Sequence, residues 1–263
     1  MPDASLLPRP AAAAPAAAGR TIAIASGKGG VGKTWLAVTL AHALARRGRR
    51  VLLFDGDLGL ANVDIQLGLQ PRHDLGGVIA GRVTLLDACA RFAPGGFDVL
   101  AGQSGSGTLA ALDAAALGRV LEALAAAARR YDHVLLDLGA GLDRSVRRMA
   151  AWADLLLVVA TNEPTSVTDA YATLKLHAAD RPGGAARVIV NQASGAAAGQ
   201  RTYATLARAS QVFLQRTPPL AGIVRQDGRV ADAIRRQVPL LARHPASQAG
   251  EDVERIAAGL LGC

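Results

Sequence analysis

Cysteine is nearly missing from this chain: Cys89 and Cys263 are the only two. Two thiols cannot build the disulfide framework that staples small secreted domains, so a reducing compartment is expected. Aromatic residues make up 3% of the chain, so its core must be built from Leu, Val, Ile and Ala. Long hydrophobic runs are missing too. The longest apolar strand-like stretch, Leu155 to Ala160, is far below the roughly 20 residues that a membrane span needs. The Ala/Pro-rich start, Met1 to Arg20, lacks a basic segment followed by an apolar core and so does not read as a signal peptide. It reads as a flexible tail over residues 1–20. Residues 21–263 carry no repeat and no clear boundary, which predicts one domain.

Lysine is the scarcest of the charged residues. Lys28, Lys33 and Lys175 are the only three, and arginine supplies the rest of a net charge of +8. A basic surface attracts nucleic acid or anionic lipid. Here, however, the arginines are scattered and match the bias of a GC-rich coding genome. The groups Arg46/Arg47/Arg49/Arg50 and Arg129/Arg130 fall where helices should end, and cations there suit the helix dipole. Further clusters are Arg144/Arg147/Arg148 and Arg235/Arg236.

Two of the three lysines lie in one short stretch, Thr21 to Thr34, TIAIASGKGGVGKT. An apolar run ends in a glycine-rich loop, and a helical pattern (Leu36, Leu40, Ala43, Leu44) begins at once. Gly27, Gly32, Lys33 and Thr34 fit the phosphate-binding pattern G-x-x-x-x-G-K-[ST]. Glycines reach backbone angles closed to other residues and let main-chain amides close on a phosphate chain. The helix that starts near Lys33 points its positive end at the same place. Lys33 adds a full charge at the β/γ-phosphates, and the Thr34 hydroxyl can ligate Mg²⁺. Concentrating lysine in a chain that otherwise uses arginine implies that the loop needs an ammonium.

Downstream, apolar runs alternate with helical patterns. Arg50 to Phe54 reads as a buried strand ending in Asp55-Gly56-Asp57. Asp57 is a candidate to organise Mg²⁺ or orient an attacking water; a turn or helix cap is the other reading of Asp55 or Asp57. Leu58 to Gln70 reads as loop and weak helix, and Leu75 to Ala90 as two short helices separated by Gly81. Phe97 to Ala101 is a strand before the Gly/Ser-rich loop 102–107. Asp113 caps a long helix reaching Arg130. His133 to Leu138 is an apolar strand leading into Asp137, the arrangement of an acidic residue facing Mg²⁺. The flexible Gly139-Ala140-Gly141 follows.

Asp154 to Thr161 is a further strand, then a helix capped by Thr165 or Ser166 runs to about Ala179. Ala186 to Asn191 is a strand whose terminal amide either pairs with an adenine edge or caps a turn. Gly199 to Gln215 is helical, Leu220 to Val224 is the last strand, and helices follow from Asp227 to Arg236 and from Ser247 to Leu261. Such alternation predicts an α/β fold with a mainly parallel sheet of seven to eight strands, helices on both faces, and a ligand site along the strands' carboxyl ends.

The loop SGKGGVGKT resembles the deviant Walker A loop of the MinD/ParA family of P-loop ATPases. The segments DGDLGLANVDIQLGLQPRHDLGGVIAG and NEPTSVTDAYATLK are similar to the FlhG/FleN branch, the MinD-like ATPases of flagellar number and placement. The resemblance spans Thr21 to Leu261. It implies ATP and Mg²⁺ as cofactors and slow, switch-type hydrolysis. Gly27, Lys28, Gly29, Gly30, Val31, Gly32, Lys33, Thr34 and Trp35 would hold the nucleotide's phosphates. Lys28 would cross an ATP-dependent homodimer to the partner's phosphates. Asp57 would be the water-orienting carboxylate of the first switch, Asp137 would lead into the second, and Thr34, Asp57 and Asp137 would serve the metal. Asn191, Val224, Arg225 and Asp227 would border the adenine.

The resemblance also implies a cytoplasmic protein, with peripheral contact at the inner face of the membrane as a variant. Its implied protein partners are an FlhF-type GTPase, a flagellar transcription activator or flagellar C-ring components. This chain departs from the pattern in two places. It has Val224 where relatives commonly carry proline, and Met1 to Arg20 lacks the Asp-Gln-Ala-x-x-Leu-Arg element linked to FlhF activation. The last helix has an apolar stripe (Val253, Ile256, Ala257, Leu260, Leu261) but an acidic polar face, so packing on the core suits it better than anionic lipid. Two further functions compete. One is ParA-like DNA partitioning, for which Arg225, Arg229, Arg235 and Arg236 are the candidate contacts. The other is regulation by protein contact with a vestigial ATPase.

Overall fold

The computed structural model describes residues 19–102 and 113–262. Nearly all of the expected tail and of the Gly/Ser-rich loop lies outside the described residues. The tail's expected last residue, Arg20, instead opens the first strand, and the Gly19 amide donates to the Ala128 carbonyl at 2.8 Å.

In chain order the elements are β1 (Arg20–Ser26), α1 (Lys33–Ala45), β2 (Val51–Gly56), α2 (Val63–Leu67), α3 (Leu75–Ile79), α4 (Leu85–Ala88), β3 (Ala90–Phe92) and β4 (Phe97–Leu100). They continue with α5 (Ala114–Ala128), β5 (His133–Ala140), α6 (Arg144–Trp152), β6 (Leu155–Ala160), α7 (Pro164–Asp180) and β7 (Ala185–Ala193). The chain closes with α8 (Ala196–Leu214), β8 (Leu220–Arg225), α9 (Gly228–Arg235), α10 (Leu240–Arg243) and α11 (Gln248–Leu261).

The eight strands form one sheet in the order β3-β4-β2-β5-β1-β6-β7-β8. Every pairing is parallel except β3 with β4. Strands buried on both faces read as continuous apolar runs, as β6 does with all of its six residues buried. Burial divides into two layers. One packs α5, α6, α7 and α8 on one face of the sheet, and the other packs α1, α9, α10 and α11 on the opposite face. Because β1 has β5 on one side and β6 on the other, successive crossovers diverge around its carboxyl end and open a crevice there.

Local signals set the helix boundaries. Asp113, Asp143 and Ser247 each accept a hydrogen bond from the amide three residues on and so start α5, α6 and α11. The helix at Pro164 begins differently from expectation. Glu163 is its flanking residue, Pro164 fills the first helical position, and the Ser166 hydroxyl accepts from the Thr161 amide at 2.9 Å. Three elements lie where the sequence pattern predicted neither helix nor strand: α6, β3 and the short α10. Helix α6 hides in an arginine cluster, yet Val146, Met149 and Ala150 are its buried stripe. The three-residue β3 is too short to show a period.

The terminal helix α11 is a core element. Val253, Ile256, Ala257 and Leu260 are buried, and a side chain at Gly222 would collide with Ile256, showing how closely β8 approaches it. Ile256→Ala should therefore cost about 2–5 kcal/mol of stability in urea unfolding. Buried histidine sets the pH response. Burial lowers His42 to about 4, and burial also lowers His133 and His177. The unfolded chain takes up these protons first, so the histidines' contribution to stability should be full above pH 6.5 and decline as the pH falls toward 4, against an opposite contribution from the raised carboxyls of Asp55 and Asp137. In His42→Gln that acid loss should be smaller, as read from thermal melts across this range.

Candidate functional site

The loop between β1 and α1 stands at the centre of the carboxyl edge of the sheet. Gly30 (φ +79°) and Gly32 (φ +85°) occupy the left-handed region. At Gly32 a Cβ would also lie 2.7 Å from Asn191 Nδ2. Two amides at the end of β7 hold the loop from outside: Asn191 Nδ2 donates to the Val31 carbonyl at 2.8 Å and Gln192 Nε2 to the Gly30 carbonyl at 3.2 Å. The Ser26 hydroxyl donates to the Lys28 carbonyl at 2.6 Å. Gly27 lies so close to Asp169 of α7 that a side chain there would overlap its backbone. Gly29 is exposed, and Val31 is buried with Trp35 in the core beneath the loop.

Register fixes the acidic groups. Asp55 and Asp137 are direct partners on β2 and β5, and Asp137 also pairs with Ile24 of β1, just before the loop. Asp55 is fully buried, and its Oδ2 accepts from the amides of Asn62 and Val63, both at 2.9 Å. It thereby fixes the start of α2, and burial pushes it up to about 6 against those hydrogen bonds. Asp137 is buried, and its Oδ1 has no hydrogen-bond partner. Burial pushes Asp137 up to about 7; the Thr34 hydroxyl beside it opposes the rise, Asp55 adds to it, and the Lys33 charge opposes it. Burial lowers the ammonium of Lys33, while Asp137 and Asp57 hold it up. Asp57 Oδ1 accepts from the Gly59 and Leu60 amides and lies against Gly139, so the loop after β2 touches the end of β5.

Beside the loop a cavity of about 410 Å³ lies between the ends of β7 and β8 and the start of α9. Gly30, Gly32, Trp35, Asn191, Arg225 and Asp227 line it, all of them expected near a nucleotide. Their roles differ in detail. The Arg225 guanidinium is locked onto the buried Asp252 of α11, at 2.8 Å from Nε and 3.0 Å from Nη2. Asp227 caps α9, and its Oδ2 is buried without a partner. Val224, expected at the adenine, is buried among α1 and α11 side chains and does not line the cavity, which β8 meets one residue later, at Arg225. The pattern reading omitted Gln192, Val230 and Ile234, which also line it. Gln192 follows Asn191 directly and adopts φ +56°, a feature invisible to periodicity.

Lys28 is set apart from Lys33. Its Nζ donates to the Glu163 carboxylate and, at 3.1 Å, to Thr165 Oγ1 at the start of α7. Its side chain keeps 38% of its exposure.

A nucleotide with Mg²⁺ fits these residues. The partnerless carboxylate oxygen of Asp137, the Thr34 hydroxyl beside it and the buried Lys33 ammonium form a set suited to magnesium and phosphate oxygens. Among the described residues no cluster of three or more His, Cys, Asp or Glu could hold a metal alone. That suits an ion that keeps waters and leans on phosphate.

A strand, a left-handed glycine loop, a buried lysine at a helix start and an acidic strand end together define a P-loop nucleotide-binding protein. The chain belongs to the CobQ/CobB/MinD/ParA nucleotide-binding family, whose model matches residues 22–240. It is 37% identical over 230 residues to the antiactivator FleN of Pseudomonas aeruginosa, covering 88% of this chain and 82% of that one. It is 32% identical over 161 residues to the flagellum site-determining protein YlxH of Helicobacter pylori, covering 61% and 54% respectively. Among solved structures it resembles the cell division ATPase MinD of Pyrococcus furiosus with a TM-score of 0.78 at 25% identity, covering 93% of this chain and 99% of that one. The septum site-determining protein MinD of Pyrococcus horikoshii, complexed with Mg-ADP, gives a TM-score of 0.76 at 26% identity, over 92% and 95% of the two chains. The FlhG/FleN resemblance of the sequence is thus matched by FleN and YlxH themselves.

Gly32→Ala would force an alanine into the left-handed region and push Asn191 from the Val31 carbonyl. The expected result is a loss of about 1–3 kcal/mol in stability. Calorimetry should also show Mg-ADP binding weakened by about tenfold or more.

Proposed function

We propose that the protein is an ATP-dependent dimerisation switch that regulates flagellar number and placement. The observation that carries this reading is the division of labour between its two loop lysines. Lys33 is buried among Asp137, Asp57 and the start of α1, where it serves the chain's own phosphates. Lys28 stands at the outer face of the same loop, half-exposed and paired only with side chains of α7 and its flank. An ammonium in that position is available to a second copy. The similarity to FleN, an antiactivator, and to YlxH, a flagellum site-determining protein, supports the flagellar setting.

In this mechanism the β1–α1 loop grips the triphosphate by its main chain, and Lys33 balances its charge. Thr34 and Asp137 would hold a magnesium ion, which would supply polarisation of the phosphoryl oxygens. Asp57 orients the attacking water. Its contact with Gly139 ties the loop after β2 to the end of β5, so loss of the γ-phosphate is felt by both segments. Lys28 of each copy leaves Glu163 and neutralises the other copy's phosphates, which biases assembly toward the ATP state. Hydrolysis is slow, as suits a timer. A cytoplasmic setting accords with this, and no helix among the described residues is long and apolar enough to cross a membrane. An activator is the kind of partner that the name antiactivator supports, and a flagellar transcription activator is the one this reading takes. An FlhF-type GTPase and flagellar C-ring components are the other partners this reading allows.

DNA partitioning is the weaker reading. Three of its four candidate arginines already donate within the chain: Arg225 to Asp252, Arg229 to the Ala246 carbonyl and Arg236 to Asp232.

Light scattering during gel filtration is the test. With Mg-ATP the wild type should run as a dimer and with Mg-ADP as a monomer. Lys33→Ala should bind no nucleotide by calorimetry, while Lys28→Ala should bind ATP yet stay monomeric or fail to turn it over. A wild type that stays monomeric with Mg-ATP at high protein concentration overturns the dimer. Measurable steady-state turnover separates a working switch from a vestigial one.

A further inference from the structure

A second cavity, of about 650 Å³, opens at the edge of the sheet opposite the phosphate loop. It lies where β2 and β4 begin and where α1 and α5 have just ended. Spanning the sheet along β2 separates it from the nucleotide site by about 20 Å, from six residues at strand rise. Its floor is the buried Val51 and Tyr131, and its rim carries four arginines: Arg49, Arg50, Arg91 and Arg130. Gly48 (φ +75°) and Gly96 (φ +69°) stand in its wall, and their lack of side chains keeps the hollow open.

The arginines are unequally occupied. Arg50 pairs with Asp132 at 2.8 Å, and Arg91 pairs at 3.1 Å with Asp98, which also accepts from the Tyr131 hydroxyl. Arg49 and Arg130 donate no side-chain hydrogen bond among the described residues, and Arg49 contributes only a distant charge toward Asp132. Four positive charges therefore face two negative ones around a single hollow. Helix ends alone explain Arg49 and Arg130 in part, since cations suit the carboxyl ends of α1 and α5. They do not explain Arg91, which projects from β3, nor a hollow large enough for a small organic phosphate.

We propose that this hollow is a second anion-binding site that takes a diphosphate or clustered phosphate group, borne by a soluble metabolite or by a lipid headgroup. The planar donor fork of arginine matches phosphate oxygens two at a time, and two unspent forks on the rim of one opening can grip such a group bidentately. The site is independent of the nucleotide reading, because no residue of the β1–α1 loop contributes to it.

The experiment uses the full chain with the phosphate loop disabled. Inorganic pyrophosphate is titrated without magnesium into Lys33→Ala by calorimetry. Saturable one-site binding is expected, with the wild type showing two binding events. Adding R49A and R130A together should weaken the Lys33→Ala site by about tenfold or more. Adding R201A and R208A, which remove the same charge from α8, should leave it unchanged. Co-sedimentation with phosphatidylcholine vesicles, with and without phosphatidic acid, distinguishes the source. Retention by phosphatidic acid that needs Arg49 and Arg130 identifies a lipid headgroup, and pyrophosphate binding without such retention identifies a soluble ligand. No binding to either probe, or an equal loss in the α8 control, overturns the site.

Discussion

The buried carboxylate of Asp137 is the constraint on which the active edge depends. It sits at the end of a central strand, beside Asp55, with one oxygen unpartnered and the Lys33 ammonium and Thr34 hydroxyl for company. Burying a charge without full hydrogen bonding is costly, and the group answers by shifting toward neutrality, to about 7. A site arranged this way is incomplete by itself. It stores an electrostatic demand that a cation and phosphate oxygens meet, which is why such residues gather where ligand chemistry is done. The sheet makes the arrangement inescapable, because parallel register places the ends of β1, β2 and β5 side by side whatever the loops do.

The two acidic neighbours show how environment divides roles. Asp55 and Asp137 are equivalent in register and nearly equal in burial. Yet Asp55 accepts three backbone amides, those of Asp57, Asn62 and Val63. Its lone pairs are consumed in holding the first switch loop, so it is structural. Asp137 accepts nothing at Oδ1 and stays available. Asp57 spends one oxygen on its own loop and touches Gly139 with it. The alternative of a turn or helix cap thus suits Asp55 and also describes Oδ1 of Asp57, which accepts from the Gly59 and Leu60 amides, while Asp137 keeps an unpartnered oxygen for the proposed metal role.

Much of this was legible in the residues because the physics is local. Glycine at a left-handed position, lysine at a helix start and aspartate after an apolar run are each dictated within a few residues of chain. The strands of the parallel sheet were readable for the same reason, being buried on both faces. What was hidden depends on distant packing. Helix α6 was masked by Arg144, Arg147 and Arg148, whose charges conceal a stripe of only three buried residues. Arg225 was expected at the nucleotide, but a buried acid on α11, Asp252, claims its guanidinium. Val224 is taken up by the core between α1 and α11, and β8 reaches the cavity only one residue later, at Arg225. No spacing rule anticipates a partner that arrives from the far end of the chain.

Magnitudes decide how freely the loop can exchange partners. The Lys28–Glu163 pair is exposed on both sides, 38% and 58%, so it is worth roughly 0–1 kcal/mol. Breaking it costs less than almost any contact in the core. The Lys33 ammonium is 9% exposed and surrounded by carboxylates; removing one partner of a buried charged group costs about 3–5 kcal/mol. One lysine is therefore fixed and the other is on a weak tether, within a loop of eight residues from Gly27 to Thr34. Under the dimer reading this difference is what lets assembly be reversible. The loop can release Lys28 to a second copy and take it back without disturbing Lys33 or the fold beneath it.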